Sequence, residues 1–300
     1  MLTIILAYQG FNRCLSSGHP CTPMGPLAHE TASNNPNLCR FVDAPELLGR
    51  NRYANHWNRA ALRKQVHGFI GRDINGEIAF AQVLPLYLPC WGVGGGRRGS
   101  YNYDRTKSHP DQRAHLQVEL CRGSTKDATY YWQAISLMER VFAHWCRTYG
   151  WNPLEQVGYT KRLTGHREAA RAGFGSNHAD PDSLMACFGD SMDKFRLRVA
   201  ARLEEPAEEV RYVYAHSMPT YYWRPKSHYN GVAVLQDCLT KLGYTVETDG
   251  YFGTETHEAV KAFREAHGIP TPVDRKGVQQ AVSCDQATWA AINKALNDLP

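Results

Sequence analysis

Alternation of apolar and polar residues predicts a sheet in the first two thirds of the chain. Residues 114–121 alternate strictly, so one face of this strand is apolar and belongs to a core, while the other is polar and can line a cleft. The polar face carries His115, Gln117 and Glu119. Residues 66–84 predict a hairpin, because an Asn-Gly pair between two apolar runs suits a tight turn.

Helical spacing follows this strand. Apolar residues recur every three or four positions from Trp132 to Trp145, after a polar segment at 124–127 and before Gly150, which predicts one amphipathic helix. A second helix is predicted directly after Ser191. Strands interleaved with helices indicate an α/β domain with a mixed central sheet flanked by helices.

The pattern changes after residue 203. Residues 204–228 combine a Glu-rich run with prolines and aromatic residues, which predicts a linker. Residues 229–300 return to short amphipathic helices and predict a small three-helix domain. The chain is therefore predicted to divide into an N-terminal extension (1–23), a large domain (24–203), the linker and the C-terminal domain.

Composition narrows the possible partners. The chain has 300 residues, 43% of them hydrophobic, and a net charge of +5 without runs of Lys or Arg. Nucleic acid is therefore a poor candidate, whereas a polyanionic surface such as a bacterial wall is compatible. Nine cysteines without a CxxC pair favour reduced thiols over a disulfide framework.

The apolar segments are too short to span a bilayer, and the first residues lack the basic start of a signal peptide. We therefore expect the protein to be made in the cytoplasm and not to insert into a membrane. The sequence makes no prediction of the oligomeric state.

A glycine-broken segment concentrates metal-binding side chains. Its members are His166, His178 and Asp180. A catalytic zinc takes imidazole and carboxylate ligands three at a time and keeps a fourth position for water. The segment thus predicts part of a zinc site, which needs a further histidine from elsewhere in the chain.

The C-terminal domain resembles the peptidoglycan-binding domain type 1. The resemblance lies in the turn Asp-Gly-Tyr-Phe-Gly-Thr-Glu-Thr, which begins at Asp249, and in the Ala-Val-Lys-Ala-Phe that ends at Phe263. A degenerate second turn departs from the family at Asp285 and Gln286, where a glycine is usual. The resemblance implies bacterial peptidoglycan as partner, and Tyr251 beside the turn can offer its ring to a sugar.

The large domain resembles the zinc-dependent N-acetylmuramoyl-L-alanine amidases of the type 2 family, which includes phage endolysins, bacterial autolysins and peptidoglycan recognition proteins. The resemblance covers roughly residues 24–200. It is strongest at Ala-His-Leu-Gln-Val-Glu (114–119), Gly-His (165–166), Ser-Asn-His-Ala-Asp-Pro (176–181) and the glycine-rich block 91–102.

The resemblance implies a role for each matching residue. The zinc ligands fall on His29, His166 and Asp180, and the general base falls on Glu119. His178 stands where relatives often carry a lysine, and it is expected to stabilise the developing oxyanion at the carbonyl oxygen.

Substrate contacts are expected from the glycine-rich block and from the hairpin. Trp91 and Asn102 belong to the block, and His67 is expected to line the cleft from the hairpin, with packing in the core as the alternative. His115 shares the polar strand face with Glu119 and stays ambiguous.

Two features depart from the amidase pattern. Two prolines interrupt residues 21–28, which precede His29, so the strand is expected to be short or at an edge, or residues 1–23 are an atypical extension. Gly92 stands where many relatives have histidine, so one substrate contact is expected to be missing.

Together these features predict a zinc hydrolase that cuts the amide bond between N-acetylmuramic acid and L-alanine, as an endolysin or autolysin does. We expect it to act on the cell wall after release from the cytoplasm. The alternative is a non-catalytic peptidoglycan-recognition protein without the metal. A glycoside hydrolase lacks support, because no second carboxylate pairs with Glu119 in the sequence.

Overall fold

A seven-stranded mixed sheet forms the centre of the molecule. The computed structural model describes residues 1–104, 106–108, 111–271 and 281–299. The strands of the described residues, in the central sheet and in three two-stranded sheets, are β1 (Leu2–Leu6), β2 (Thr22–Glu30), β3 (Gly68–Arg72), β4 (Ile78–Gln82), β5 (Arg113–Leu120), β6 (Gln156–Val157), β7 (Thr160–Lys161), β8 (Thr164–Gly165), β9 (Val210–Tyr214), β10 (Tyr221–Tyr222), β11 (Arg224–His228), β12 (Tyr251–Phe252) and β13 (Ser283–Cys284).

The central sheet has the strand order β8-β2-β5-β3-β4-β1-β9. Neighbours β3 and β4 are antiparallel, and the other neighbouring pairs are parallel. The predicted mixed sheet and the predicted hairpin are therefore confirmed. Gly76 in the hairpin turn has a φ of 83°, a conformation that glycine adopts without a steric penalty.

Helices flank the sheet and also build the C-terminal module. They are, in chain order, α1 (Arg13–Ser17), α2 (Pro45–Leu48), α3 (Ala128–Tyr149), α4 (His166–Ala172), α5 (Asp182–Cys187), α6 (Met192–Glu204), α7 (Asn230–Lys241), α8 (Thr254–Ala266) and α9 (Gln286–Asn297). The two long helices predicted from the sequence correspond to α3 and α6. The Asp127 carboxylate caps α3 by accepting a hydrogen bond from the Tyr130 N–H, and Gly150 ends the helix in the left-handed conformation.

The apolar face of β5 packs against α3 and α6. Leu116 and Val118 share one buried cluster with Phe142, Trp145 and Phe195 from these helices. The alternation of residues 114–121 therefore predicts the core face correctly. The polar residues of β5 point to the opposite side, where the candidate site lies. No helix in the described part of the chain is long and apolar enough to cross a membrane.

The first strand and β9 lie together in the sheet. The sequence pattern predicts an extension at residues 1–23 and a linker at residues 204–228, whereas the structure pairs β1 in parallel with both β4 and β9. The register joins residues as distant in sequence as Leu2 and Val210. Local patterns do not reveal such pairing, because it depends on the tertiary arrangement of the whole domain.

The proline-containing strand β2 is internal to the sheet rather than short or at an edge. It has nine residues and pairs with β5 along its length, with a register irregularity between Pro23 and Gly25. On its other side β8 pairs only with Leu27 and Ala28. The prolines are accommodated because the strand has no second hydrogen-bonded neighbour at their positions.

The last helix, α9, covers the open edge of β9. The Asn297 side chain accepts a hydrogen bond from the Tyr214 N–H at 2.7 Å and donates one to the Tyr214 carbonyl at 2.9 Å. One helical turn earlier, Asn293 makes the same pair of bonds with His216, at 3.1 and 3.0 Å. These two side chains replace a neighbouring strand and satisfy an edge that would otherwise be exposed.

Replacing Asn293 by alanine should lower the free energy of unfolding by about 1–2 kcal/mol, because two backbone groups of His216 lose their partners. Urea denaturation measures this change. Lys294→Ala, an exposed position of the same helix, is the matched control and should stay within about 0.5 kcal/mol of wild type. Equal effects of the two substitutions would show that the edge contact does not stabilise the fold.

Candidate metal centre

Three parallel strands end at the same edge of the sheet and bring the polar residues together. His29 is the penultimate residue of β2, and the register pairs it with Glu119 on β5. His166 directly follows β8 and begins α4. Asp180 comes from the loop before α5. The carboxyl ends of parallel strands are the usual place for a functional site in such sheets.

The side chains of His29, His166 and Asp180 converge on one point, and we call them the His-His-Asp cluster. The Nδ1 atom of His29 lies 3.1 Å from Nδ1 of His166 and 3.2 Å from Oδ2 of Asp180. Nδ1 of His166 lies 3.2 Å from Oδ1 of Asp180. Ligands about 2.0–2.1 Å from a tetrahedral ion lie about 3.3 Å apart, so this spacing fits a metal ion.

A chain of hydrogen bonds fixes the ring of His29. The Val93 N–H donates to Oδ1 of Asn102 at 3.0 Å, and the Gln117 amide donates to the same oxygen at 2.9 Å. The side-chain oxygen of Gln117 therefore faces Nε2 of His29, at 2.8 Å, and must accept a hydrogen bond from its N–H. Because Nε2 carries the proton, the lone pair of Nδ1 points into the cluster.

Ser176 does the same for His166. Its hydroxyl lies 3.2 Å from Nε2 of His166 and donates to the Val93 carbonyl at 3.1 Å. The hydroxyl proton is thus directed away from the ring, so Nε2 of His166 is the donor and Nδ1 keeps its lone pair. Both imidazoles present a free nitrogen to the same point, as a metal site requires.

The charge states of the cluster also suit a metal. Burial opposes ionisation of the Asp180 carboxyl, but the adjacent rings of His166 and His29 outweigh this effect and hold its pKa below the ordinary value. Burial lowers the pKa of His166, against the opposing effect of Asp180. A carboxylate and neutral imidazoles are the forms that bind metal ions.

Glu119 lies beside the cluster and is buried. Burial raises its pKa well above the ordinary value, the charges of Asp180 and Glu30 raise it further, and Lys64 opposes them. Its Oε2 atom has no hydrogen-bond partner among the described residues. A buried, unpaired carboxylate oxygen is costly in a purely structural role, and this makes Glu119 a candidate for proton transfer.

Four neighbours of the site are not predicted from the sequence. Alternation places Gln117 on the polar strand face and Ser176 opens the block 176–181, but the sequence gives neither residue a role. Glu30 is buried and accepts hydrogen bonds from the Ala32 N–H at 2.8 Å and from Arg122 at 3.4 Å. Lys64 is near Glu119 and lies over the Trp57 ring at 4.4 Å.

His178 is exposed and lies outside the His-His-Asp cluster. Its ring stacks on that of His166 with centroids 4.6 Å apart, and its Nδ1 is 2.9 Å from the Ser176 hydroxyl. The hydroxyl donates to Val93, so Nδ1 of His178 donates to it. The Nε2 atom of His178 is then the nitrogen available to a ligand.

His67 is fully buried and is not exposed to a cleft. Its Nδ1 accepts a hydrogen bond from the Gln117 N–H at 3.0 Å, and its Nε2 donates to the Leu88 carbonyl at 2.9 Å. Both ring nitrogens are therefore occupied by backbone groups. The expected substrate contact of His67 is therefore replaced by its alternative, packing in the core, because the ring has no exposed surface. His115 is also buried, against the Tyr101 ring.

Acid should destabilise the fold through His67. Burial lowers the pKa of His67 to about 4 in the folded protein, below the value of about 6.5 in the unfolded chain. The contribution of His67 to the free energy of unfolding is therefore complete above about pH 6.5 and is lost as the pH falls towards 4. The loss between pH 6.5 and 5 is roughly 2 kcal/mol. Urea denaturation of His67→Gln should show a smaller loss over this range than wild type. Equal losses would contradict this role.

Trp91 and Asn102 line a cavity of about 760 Å³, which none of His29, His166, Asp180 and Glu119 lines. The glycine-rich segment 94–99 forms one wall, and aromatic and arginine side chains form the rest, among them Tyr101, Tyr159, Phe174, Arg98 and Arg113. Trp91 is half-buried, whereas Asn102 is only 5% exposed and holds Gln117. The structure thus gives Asn102 a positioning role towards His29 through Gln117.

Tyr251 lies far along the chain, in the C-terminal helical module, and does not join the cluster. It is 39% exposed and contacts His228 edge-on, with ring centroids 5.4 Å apart. Phe252, Phe263 and Trp289 are buried in the module, as expected for its small core.

The C-terminal segment matches a known family. Residues 228–274 match the family described as "Putative peptidoglycan binding domain", which confirms the resemblance of this module. No curated protein matches the chain.

Several solved structures match part of the chain. The Staphylococcus aureus hydrolase AmiA, in complex with its ligand, is 17% identical, with a TM-score of 0.44 over 60% of this chain and 73% of its own. A mutant endolysin from Bacillus subtilis is 16% identical, with a TM-score of 0.41 over 66% of this chain and 99% of its own. The PlyG catalytic domain is 15% identical, with a TM-score of 0.43 over 70% of this chain and 99% of its own. Similarity this loose does not assign a function.

Proposed function

We propose that this chain is a zinc-dependent hydrolase that cleaves the amide bond between N-acetylmuramic acid and L-alanine in bacterial peptidoglycan. The convergence of His29, His166 and Asp180 beside the buried Glu119 carries the proposal. Two imidazoles and a carboxylate leave one coordination position open, as hydrolytic zinc sites do. The sequence resemblance to type 2 amidases at the same residues supports it.

Zinc in this cluster would polarise the amide carbonyl and lower the pKa of a water molecule. Gln117 and Ser176 hold the two imidazoles in the required tautomer. Glu119 accepts the proton of the attacking water at its unpaired Oε2 and delivers it to the nitrogen of the leaving alanine. Burial raises the pKa of Glu119 and so strengthens it as a base, and the charge of a bound cation would act on this pKa in the opposite direction.

His178 is proposed to donate a hydrogen bond to the carbonyl oxygen as negative charge develops. Its Nδ1 is committed to Ser176, so Nε2 is the donating atom when the ring is protonated. Trp91 would contact the substrate in the cavity that it lines with Asn102, and Tyr251 would contact the wall from the C-terminal module.

The domain organisation supports action on an insoluble substrate. We propose residues 24–203, together with β1 and β9, as the catalytic domain and residues 229–300 as the wall-binding module. The family match of residues 228–274 supports peptidoglycan as the partner. A binding module raises the effective concentration of the enzyme at the wall. The proposed role is that of an endolysin or autolysin made in the cytoplasm.

Digestion of purified cell walls tests the bond that is cut. We expect new L-alanine amino termini to accumulate with time and no new reducing sugar. Reducing ends without alanine amino termini would indicate a glycosidase. Binding to walls without any new end group would instead favour the non-catalytic recognition protein.

A further inference from the structure

A second large cavity lies between the sheet domain and the C-terminal module. It has a volume of about 850 Å³, within the range of about 300–1,000 Å³ that is usual for ligand sites. One wall comes from Tyr8, Tyr87 and the segment 16–20, and the other from Asp237, Asp249, Tyr251 and the start of α7. None of the His-His-Asp cluster lines it, so it is a separate site.

The two walls are held in a fixed relation. The Asn230 side chain, at the start of α7, donates hydrogen bonds to the carbonyls of Leu15 and Gly18 at 2.8 and 2.6 Å. Asn230 thereby caps the C-terminal end of α1 and links the C-terminal module to the sheet domain. A single buried cluster also joins Leu15 and Leu88 to the core of the module. The cavity is therefore preformed, which reduces the entropy cost of binding.

The cavity offers aromatic faces at its rim. Tyr87 is 45% exposed on the sheet domain, and Tyr251 is 39% exposed on the module. Flat rings that stay partly exposed in a concave site suit the apolar C–H faces of sugar rings. The two rings belong to different parts of the molecule, so a ligand that used both would contact both walls.

The polar lining of the cavity includes two carboxylates, Asp237 and Asp249, beside the imidazoles of His19 and His228. Asp249 is oriented by hydrogen bonds to its Oδ1 from Gln236 at 2.8 Å and from the Tyr251 N–H at 2.9 Å. Asp237 pairs with Lys241, which does not line the cavity. No described lining residue is a lysine or arginine. Carboxylates accept hydrogen bonds from sugar hydroxyls and repel anions.

We propose that this interdomain cavity binds an uncharged saccharide segment, and that it holds the glycan chain of the wall while the His-His-Asp cluster acts elsewhere on it. The identification of the glycan rests on the proposed function, whereas the chemistry of the cavity does not. Both parts of the molecule contribute binding groups, so the site exists only in the full chain.

Calorimetric titration of the full chain with the tetramer of β-linked N-acetylglucosamine tests the proposal. Saturable binding of one tetramer per chain is expected. Tyr87→Ala should weaken it about tenfold or more, and Ala233→Trp, which fills the cavity from α7, should abolish it. Tyr53→Ala removes an 84% exposed tyrosine away from the cavity and should leave the affinity unchanged.

An anionic tetramer of galacturonic acid should bind at least tenfold more weakly than the uncharged tetramer. Equal affinities for the two tetramers, no binding to wild type, or equal binding by wild type, Tyr87→Ala and Ala233→Trp would overturn the proposal. Cleavage of walls without tetramer binding would overturn only the saccharide site. Tetramer binding that depends on Tyr87, in a chain that releases no alanine amino termini, would overturn only the proposed hydrolase.

Discussion

Replacing Glu119 by glutamine should lower the rate of wall hydrolysis by about 100- to 10,000-fold, the range that proton transfer by a positioned side chain contributes. The amide has nearly the same shape but cannot take a proton from water at neutral pH. Because Glu119 is not a member of the His-His-Asp cluster, bound metal should stay at the wild-type level. The rate at which alanine amino termini are released tests the predicted loss of hydrolysis, and the metal content of the same preparation tests the predicted retention of the metal.

The same substitution should not destabilise the metal-free protein. The folded state raises the pKa of Glu119, so any stability that its carboxyl contributes is present below about pH 4.3 and is lost as the pH rises. At pH 7 the buried carboxylate therefore costs stability, and glutamine removes this cost. Urea denaturation after chelation should show Glu119→Gln at least as stable as wild type. Wild-type activity, or clear destabilisation of the variant, would show that Glu119 has a structural role.

Replacing His29 by alanine should reduce hydrolysis by about 1,000-fold or more, because the remaining His166 and Asp180 cannot hold the ion in an open tetrahedral site. Gln117 loses its partner at the same time. The matched control is His257→Ala, on α8 of the C-terminal module, which should keep full activity. Activity of His29→Ala within a few-fold of wild type would exclude this residue from the reaction.

The sequence predicts the convergence of His29 and Glu119 only in part. Strict alternation places Glu119 on a polar strand face, and the family resemblance points to His29. The register that sets the two side by side comes from pairing between β2 and β5, strands separated by some 80 residues. Residue pattern and resemblance thus identify the side chains, and the sheet supplies their arrangement.

Other features depend entirely on tertiary contacts. The tautomer of His29 follows from a backbone N–H of Val93 through Asn102 and Gln117, a path that no local pattern reveals. The short apolar run at Leu2–Leu6 is indistinguishable in sequence from an extension, and its partner β9 is partly exposed along its length. His67 illustrates the reverse case, since a hairpin histidine can face a cleft or the core, and backbone hydrogen bonds decide between them.

Metal analysis of the chain, purified without chelators, tests the central claim most directly. We predict one zinc ion per chain in the wild-type protein and less than about one tenth of that in His29→Ala and Asp180→Ala, because each variant removes one of three ligands. Zinc should remain at the wild-type level in Glu119→Gln. A wild-type chain that hydrolyses walls without zinc, or variants that keep their zinc, would contradict the proposed site.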